Sequence, residues 1–236
     1  DDLIDNLVSV IMPAYNCQNT ILDSVNSVIE QTYSYFELII VDDGSTDNTS
    51  KVLKRFQGYP NIIILKSKIN NGVGFTRNIA IAKARGQYIS FLDSDDTWHE
   101  DKLKIQVNLM KKNNYFCCHS TYTRKYITSK KEKIIKAEKF VRKSDMLKGN
   151  KIGNLTGIYD AKKLGKVFQK NVGHEDYLMW IHIVNLSGFS YGCIENLASY
   201  TISKKGVSSN KLKSFFWTWN IYRNEMKMNL INSFIS

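Results

Sequence analysis

Gln87-Tyr88-Ile89-Ser90-Phe91-Leu92 runs directly into Asp93-Ser94-Asp95-Asp96. The first six residues read as a buried strand, the kind found when both faces of a parallel sheet are covered. The next four place three carboxylates at that strand's C-terminal end. Carboxylates so crowded repel one another, and a cation among them relieves the repulsion. Oxygen-only ligands suit a hard divalent ion, Mg²⁺ or Mn²⁺, better than zinc. In open α/β sheets, ligands bind beyond the carboxyl ends of the strands. The run therefore points to a metal–phosphate site. The competing reading is an Asp-rich N-cap for the next helix.

Upstream, the same alternation repeats. Val8 to Met12 is an apolar run ended by Pro13, and Ile21, Leu22, Val25, Val28 and Ile29 then keep helical spacing. Strands over 37–41 and 62–65 alternate with helices marked by Val52, Leu53 and Phe56, then by Phe75, Ile79 and Ala82. This order predicts an α/β fold, with a doubly wound, mostly parallel central sheet and helices on both faces. Downstream, Leu103, Val107 and Met110 mark a helix, 116–122 a strand and 175–186 a helix. The tail over 212–235 reads as a helix rich in Phe, Trp and Met. Residues 123–154 are polar and yield no clear element. With no repeat and no Pro/Gly linker, one globular unit is expected.

The chain has 236 residues, 43% of them hydrophobic, enough for a sizeable core and too many for a disordered chain. No stretch approaches the roughly 18–20 apolar residues that span a bilayer. The acidic start, Asp1-Asp2-Leu3-Ile4-Asp5, lacks the basic region of a signal peptide. Cys17, Cys117, Cys118 and Cys193 form no C-x-x-C pair, and neighbours such as Cys117 and Cys118 face opposite sides of a strand. A reducing cytosol is the expected compartment. The net charge of +11 calls for an anionic partner: nucleic acid, acidic lipid or a phosphorylated substrate. Residues 124–143 concentrate it, with Arg124, Lys125, Lys130, Lys131, Lys133, Lys136, Lys139, Arg142 and Lys143 against Glu132 and Glu138. That run is either a solvated face or a binding surface.

Four strand ends on one edge carry polar residues: Pro13-Ala14-Tyr15-Asn16, Asp42-Asp43-Gly44-Ser45-Thr46-Asp47, Asn70 to Asn78, and Asp93 to Asp96. Their convergence defines one pocket. The set V-S-V-I-M-P-A-Y-N, V-D-D-G-S-T-D, N-N-G-V-G-F-T-R-N and F-L-D-S-D-D, with Glu175-Asp176 and Trp180 further on, resembles the family 2 glycosyltransferases of the GT-A fold. The resemblance spans roughly residues 8 to 180 and is weak over the last fifty. It implies a nucleotide-sugar-binding half over 1–98, an acceptor half carrying the base over 99–209, and a C-terminal amphipathic helix over 210–236.

That resemblance places a UDP-sugar on Pro13, Tyr15, Asp42, Asp43, Asn71, Gly72, Arg77, Asp93 and Ser94. Pro13 and Tyr15 would stack the base, and Asp42 would accept the uracil imide N–H; the alternative for both acids is a turn bonded to local backbone. Arg77 supplies a permanent cation. Asp95 would hold Mn²⁺ or Mg²⁺, with Asp96 as a further ligand, a donor contact or a helix cap. Asp176 is the candidate general base. Glu175 and His174 are secondary acceptor candidates, against a helix-dipole partner and a polar loop residue. Trp180, four residues from Asp176 and on its face, would pack on a sugar ring or in the core. Many relatives carry a late Y-R-x-H-like segment; here Tyr200-Thr201-Ile202-Ser203-Lys204-Lys205 has Ser203 where the His would be.

The implied reaction is an inverting transfer of a hexose or N-acetylhexosamine to a glycan hydroxyl, the acceptor lipid-linked through undecaprenyl pyrophosphate, without nucleic acid. The tail and the basic run suggest peripheral contact with the inner face of the plasma membrane; packing of the tail on the core is the alternative. Competing functions are a nucleotidyltransferase, which lacks the Gly-rich, basic loop it would need after strand one, and a non-catalytic sugar-nucleotide or nucleic-acid-binding module.

Overall fold

The computed structural model describes residues 3–202 and 211–227. Strand β1 (Ile4–Ala14) lies between β2 (Phe36–Asp42) and β4 (Gly86–Phe91), with β3 (Ile62–Lys66) beyond β2, all parallel. Every residue of β2 is buried, as a strand covered on both faces requires. The helices α1 (Ile21–Ile29) and α2 (Thr49–Leu53) cover one face together with α4 (Lys102–Asn113); α3 (Val73–Lys83) and α7 (Glu175–Ser187) cover the other.

Beyond β4 the sheet turns antiparallel. The short β9 (Ile158–Asp160) pairs with β4 on one side and with β6 (Cys117–Tyr126) on the other. β6 then runs parallel to β10 (Ser190–Ile202), which also carries β5 (Thr97–Trp98) and β8 (Phe140–Val141). The stretch that gave no element in the sequence contains a hairpin: β6 pairs with β7 (Lys131–Ile135) in antiparallel register. Its outer strand is almost wholly exposed, so it has no apolar pattern to read. Short helices α5 (Lys143–Met146) and α6 (Ala161–Leu164) complete the second half.

The tail contributes α8 (Lys211–Asn220), followed by a wider turn over Ile221–Glu225. Ile221 and Tyr222 are buried against the core. The Tyr222 hydroxyl meets the Tyr177 hydroxyl at 2.9 Å and donates to the Leu147 carbonyl. This part of the tail packs on α7, the alternative to a membrane helix. Leu230 and the residues after it, like Ser203, Lys204 and Lys205, lie outside the described residues. Among the described residues no helix is long and apolar enough to cross a membrane.

One core feature is chemically unusual. Lys102 is fully buried, its ammonium bonded to Gln106 Oε1 at 2.7 Å and Ser90 Oγ at 3.1 Å, and seated 4.1 Å over the Trp98 ring. Burial lowers its pKa to about 7. Between that value and the ordinary 10.5 the unfolded chain binds a proton that the folded chain does not, so this group's contribution to stability rises with pH across that window. Lys102→Met should remove a slope of up to about 1.4 kcal/mol per pH unit. Urea unfolding of both proteins at several pH values above neutrality measures it; equal slopes would show that Lys102 stays charged in the fold.

Candidate active site

The parallel strands deliver their C-terminal loops to one edge, and the first loop differs from expectation. β1 continues through Pro13 to Ala14, and Pro13 is buried within it. Pro13 is tolerated there because pairing with β4 has ended at Ile11 and Phe91, so no partner needs the missing N–H. Pro13 is therefore a buried strand residue rather than part of a turn. Tyr15 stands at the opening, 47% exposed.

Asp42 and Asp43 hold the second and third loops together. The Asp42 carboxylate accepts from the Ser45 N–H at 2.9 Å and from the Ser50 hydroxyl, and it is 1% exposed. These bonds are those of the local-turn alternative, and the Lys66 ammonium stands 4.0 Å from the same carboxylate. Asp43 reaches further. It accepts from the backbone N–H groups of Asn71 and Gly72 at 2.9–3.1 Å, pinning the loop that opens α3. Gly72 has φ +91 there, a conformation that only glycine adopts without strain.

Arg77 lies beneath this edge, on α3. One terminal nitrogen donates to Asp93 Oδ1 at 2.6 Å, the other to Gln169 Oε1 at 3.3 Å, and Nε has no partner among the described residues. Burial opposes the charge, but Asp93, Asp176 and Glu175 outweigh it and raise the guanidinium's pKa. Gln169 is itself clamped to α3: its N–H donates to Asn78 Oδ1 at 2.7 Å, and its carbonyl accepts from Asn78 Nδ2 at 2.8 Å.

The acidic run separates into distinct roles. Asp93 is the partner of Arg77. Asp95 is exposed at the rim, where the surrounding protein and then Asp93 push it up to about 6. Asp96 is buried and accepts from the Thr201 N–H at 2.8 Å, tying β10 to the end of β4. It is not the cap of α4, a position held by Asp101. Ser94 bonds the Cys17 thiol, whose pKa burial raises despite that contact.

Helix α7 begins at this place. Glu175 and Asp176 occupy its first turn, where the helix dipole favours negative charge. They diverge: the Glu175 side chain lies against Gly74 of α3, whereas Asp176 lines a cavity of about 260 Å³ together with Asp93 and Asp96. The rest of that wall includes Tyr122, Asn150, Lys151 and Asn154, which sequence reasoning left without a role, and Arg124 and Tyr200, which it marked only as part of the basic run and as the late tyrosine. Burial and then the carboxylates of Asp96, Asp93, Asp95 and Asp176 push Tyr200 to about 12. His174, in a left-handed conformation before α7, packs edge-on against Trp217 at 5.2 Å.

Trp180 is fully buried, edge-on to Phe91 and Tyr159. It offers no face to a sugar; the core reading holds instead. Its indole N–H donates to Asn154 Oδ1 at 3.2 Å.

Residues 9–167 match the family model described as Glycosyl transferase family 2. The chain is 35% identical over 223 residues to the putative teichuronic acid biosynthesis glycosyltransferase TuaG of Bacillus subtilis, covering 92% of this chain and 87% of that protein. It is 36% identical over 220 residues to WfgD of Escherichia coli, covering 92% and 85%; WfgD is named as a UDP-Glc:alpha-D-GlcNAc-diphosphoundecaprenol beta-1,3-glucosyltransferase. The chain belongs to the family 2 glycosyltransferases. Its fold is that of Staphylococcus aureus TarS residues 1–349, solved with UDP-GlcNAc: the TM-score is 0.77 at 20% identity, over 94% of this chain and 67% of that one. The Pyrobaculum calidifontis mannosyltransferase PcManGT, solved with GDP-Man and Mn²⁺, gives 0.70 at 16% identity, over 94% and 64%. These likenesses establish a GT-A fold for an enzyme that transfers sugars.

The Trp180 ring fits its slot only because residue 157 has no side chain: a Cβ on Gly157 would lie 2.2 Å from the ring. Gly157→Ala should destabilise the protein by about 1–3 kcal/mol, read as a drop in thermal midpoint. Trp180→Phe in the same chain should recover part of that loss. No recovery would mean that the clash lies elsewhere.

Proposed function

We propose that this enzyme moves a hexose or N-acetylhexosamine from a UDP-sugar to a hydroxyl of a sugar carried on undecaprenyl diphosphate, with inversion. The observation that carries this reading is that Asp93, from the strand-end run, and Asp176, from the start of α7, line one cavity. The naming of WfgD as UDP-Glc-using and acting on a diphosphoundecaprenol-linked sugar supports the choice of donor and acceptor.

Asp176, half-exposed in the first turn of α7, would take the proton of the acceptor hydroxyl as that oxygen attacks the anomeric carbon. The bond to the nucleoside diphosphate breaks on the opposite side, so an α-linked donor yields a β-linked product and no protein nucleophile is needed. Arg77 holds Asp93 in place from below, and Tyr15, Asp43, Asn71, Gly72 and Ser94 frame the nucleotide side.

The donor set fits a hard divalent cation. Asp95 presents oxygens only, and burial and then the neighbouring Asp93 carboxylate disfavour its charged form, an effect that a bound cation would oppose. Among the described residues no three His, Cys, Asp or Glu side chains gather into a cage, so Asp95 would supply part of a coordination shell completed by diphosphate oxygens. When bound, Mn²⁺ or Mg²⁺ would offset charge on the leaving diphosphate.

The reading is tested by calorimetry with UDP, GDP, CDP and dTDP, with and without Mn²⁺. UDP should bind most tightly and need the metal. Asp176→Asn should keep UDP affinity within about twofold while turnover falls on the order of 10²–10⁴-fold; undiminished turnover would place the base elsewhere.

Access to a lipid-linked acceptor is served by the β6–β7 hairpin. Ile127 and Ile134 are 60% and 59% exposed there, amid Lys125, Lys130, Lys131 and Lys133. Apolar tips among lysines suit an anionic leaflet, at about 1 kcal/mol per cation near the surface. Sedimentation with phosphatidylglycerol vesicles at low salt should carry the protein down, and Ile127→Ser with Ile134→Ser should weaken this. Wild-type protein left in the supernatant would dismiss the membrane contact.

A further inference from the structure

The cavity beside Asp176 carries two kinds of charge. Asp93, Asp96 and Asp176 contribute carboxylates, and Arg124 and Lys151 contribute cations. None of the three acids forms an ion pair with either cation, so the opposite charges remain separate within one small space.

Arg124 is pre-positioned. Its Nε and a terminal nitrogen both donate to the Tyr122 hydroxyl, at 3.2 and 2.9 Å, and its guanidinium lies 5.6 Å from that ring's centre. It has no carboxylate partner among the described residues. Lys151 pairs with Glu138 at 2.8 Å, but both side chains are solvated, at 31% and 52%. A pair so exposed is weak and readily exchanged for a phosphate.

Asn154 supplies the second observation. It is 7% exposed and lines the same cavity. Trp180 fixes its orientation by donating to Oδ1, and its Nδ2 has no hydrogen-bond partner among the described residues. A buried amide donor without a partner is costly, and an acceptor atom brought into the cavity would satisfy it. The segment is held firmly: Trp98 Nε1 donates to the Leu155 carbonyl at 2.8 Å, Gln106 to that of Thr156 at 2.9 Å, and Ser90 to that of Gly157 at 2.7 Å. The backbone that carries Asn154 is thus fixed, and Trp180 holds its amide oxygen.

We propose that this cavity is the acceptor subsite and that three residues of it read a sugar diphosphate: Asn154 Nδ2 donates to a substituent of the acceptor sugar, and Arg124 and Lys151 hold its phosphates. The inference rests on the glycosyltransfer reading above and assigns the acceptor end of it. The acids then face the nucleophilic hydroxyl while the cations face the carrier, which sets the direction in which the acceptor lies. At about 260 Å³ the space is slightly below the usual range for small-molecule sites, roughly 300–1,000 Å³, and suits one sugar ring rather than a long glycan.

The donor also carries a sugar diphosphate, so the experiment separates the two sources. Octyl α-GlcNAc diphosphate and octyl α-GlcNAc, which lacks the diphosphate, are titrated into wild type and variants in the presence of UDP, and UDP is titrated alone. Wild type should prefer the diphosphate probe. Arg124→Gln and Lys151→Gln should each weaken that probe about 10-fold and leave both the glycoside and UDP unchanged. Asn154→Asp keeps the acceptor atom that Trp180 needs but loses the donor; it should weaken both octyl probes alike and not UDP. Thermal midpoints confirm that each variant is folded. Unchanged affinity for the diphosphate probe in the two Gln variants overturns the assignment, as does an equal loss of UDP, which would give the cations to the donor. Wild type that fails to bind UDP at all defeats the glycosyltransfer reading instead.

Discussion

A guanidinium buried among carboxylates organises the reactive edge. Arg77 joins three parts of the chain that are remote in sequence: its own helix, the acidic end of β4 through Asp93, and the 166–170 strap through Gln169. The first turn of α7 comes within its field through Asp176 and Glu175. Taking such a cation out of water is costly, and the surrounding acids are what make it tolerable. The acids in turn need the cation, since Asp93, Asp95 and Asp96 otherwise repel one another.

A second anchor lies on the opposite face of the sheet. Lys102, Gln106 and Trp98 form a buried polar group that grips the segment over 154–157 from below. Trp180 grips the same segment from the α7 side, sunk against Gly157 and bonded to Asn154. One indole thus connects the helix that carries the candidate base to the wall of the cavity beside Asp176. Polar networks of this kind rigidify when fully satisfied, and the orphan Nδ2 of Asn154 stands out against that background.

Much of the first half was legible in the chain. The apolar runs over 8–12, 37–41 and 87–92 announce β1, β2 and β4, because strands buried on both faces need such runs, and the run over 62–65 announces the half-buried edge strand β3. The second half was harder. β9 is only three residues long, and β10 is interrupted by register shifts around Asn196 that break its pattern. β7 is a charged surface strand. The site divides likewise. The acids and Arg77 announce themselves by position, whereas Asn154 and Lys151 sit in a loop whose place only long-range packing determines. Burial also separated residues that look equivalent on paper: Asp42, Asp96 and Trp180 turned inward to backbone and core, while Asp95 and Asp176 stayed accessible.

The inward turn of Asp42 and Asp43 has a thermodynamic meaning of its own. Their oxygens already hold the N–H groups of Ser45, Asn71 and Gly72, so the loops at this strand edge take their shape when the chain folds. A ligand arriving there has little of that backbone left to order. The entropy of ordering those loops is lost on folding rather than on binding.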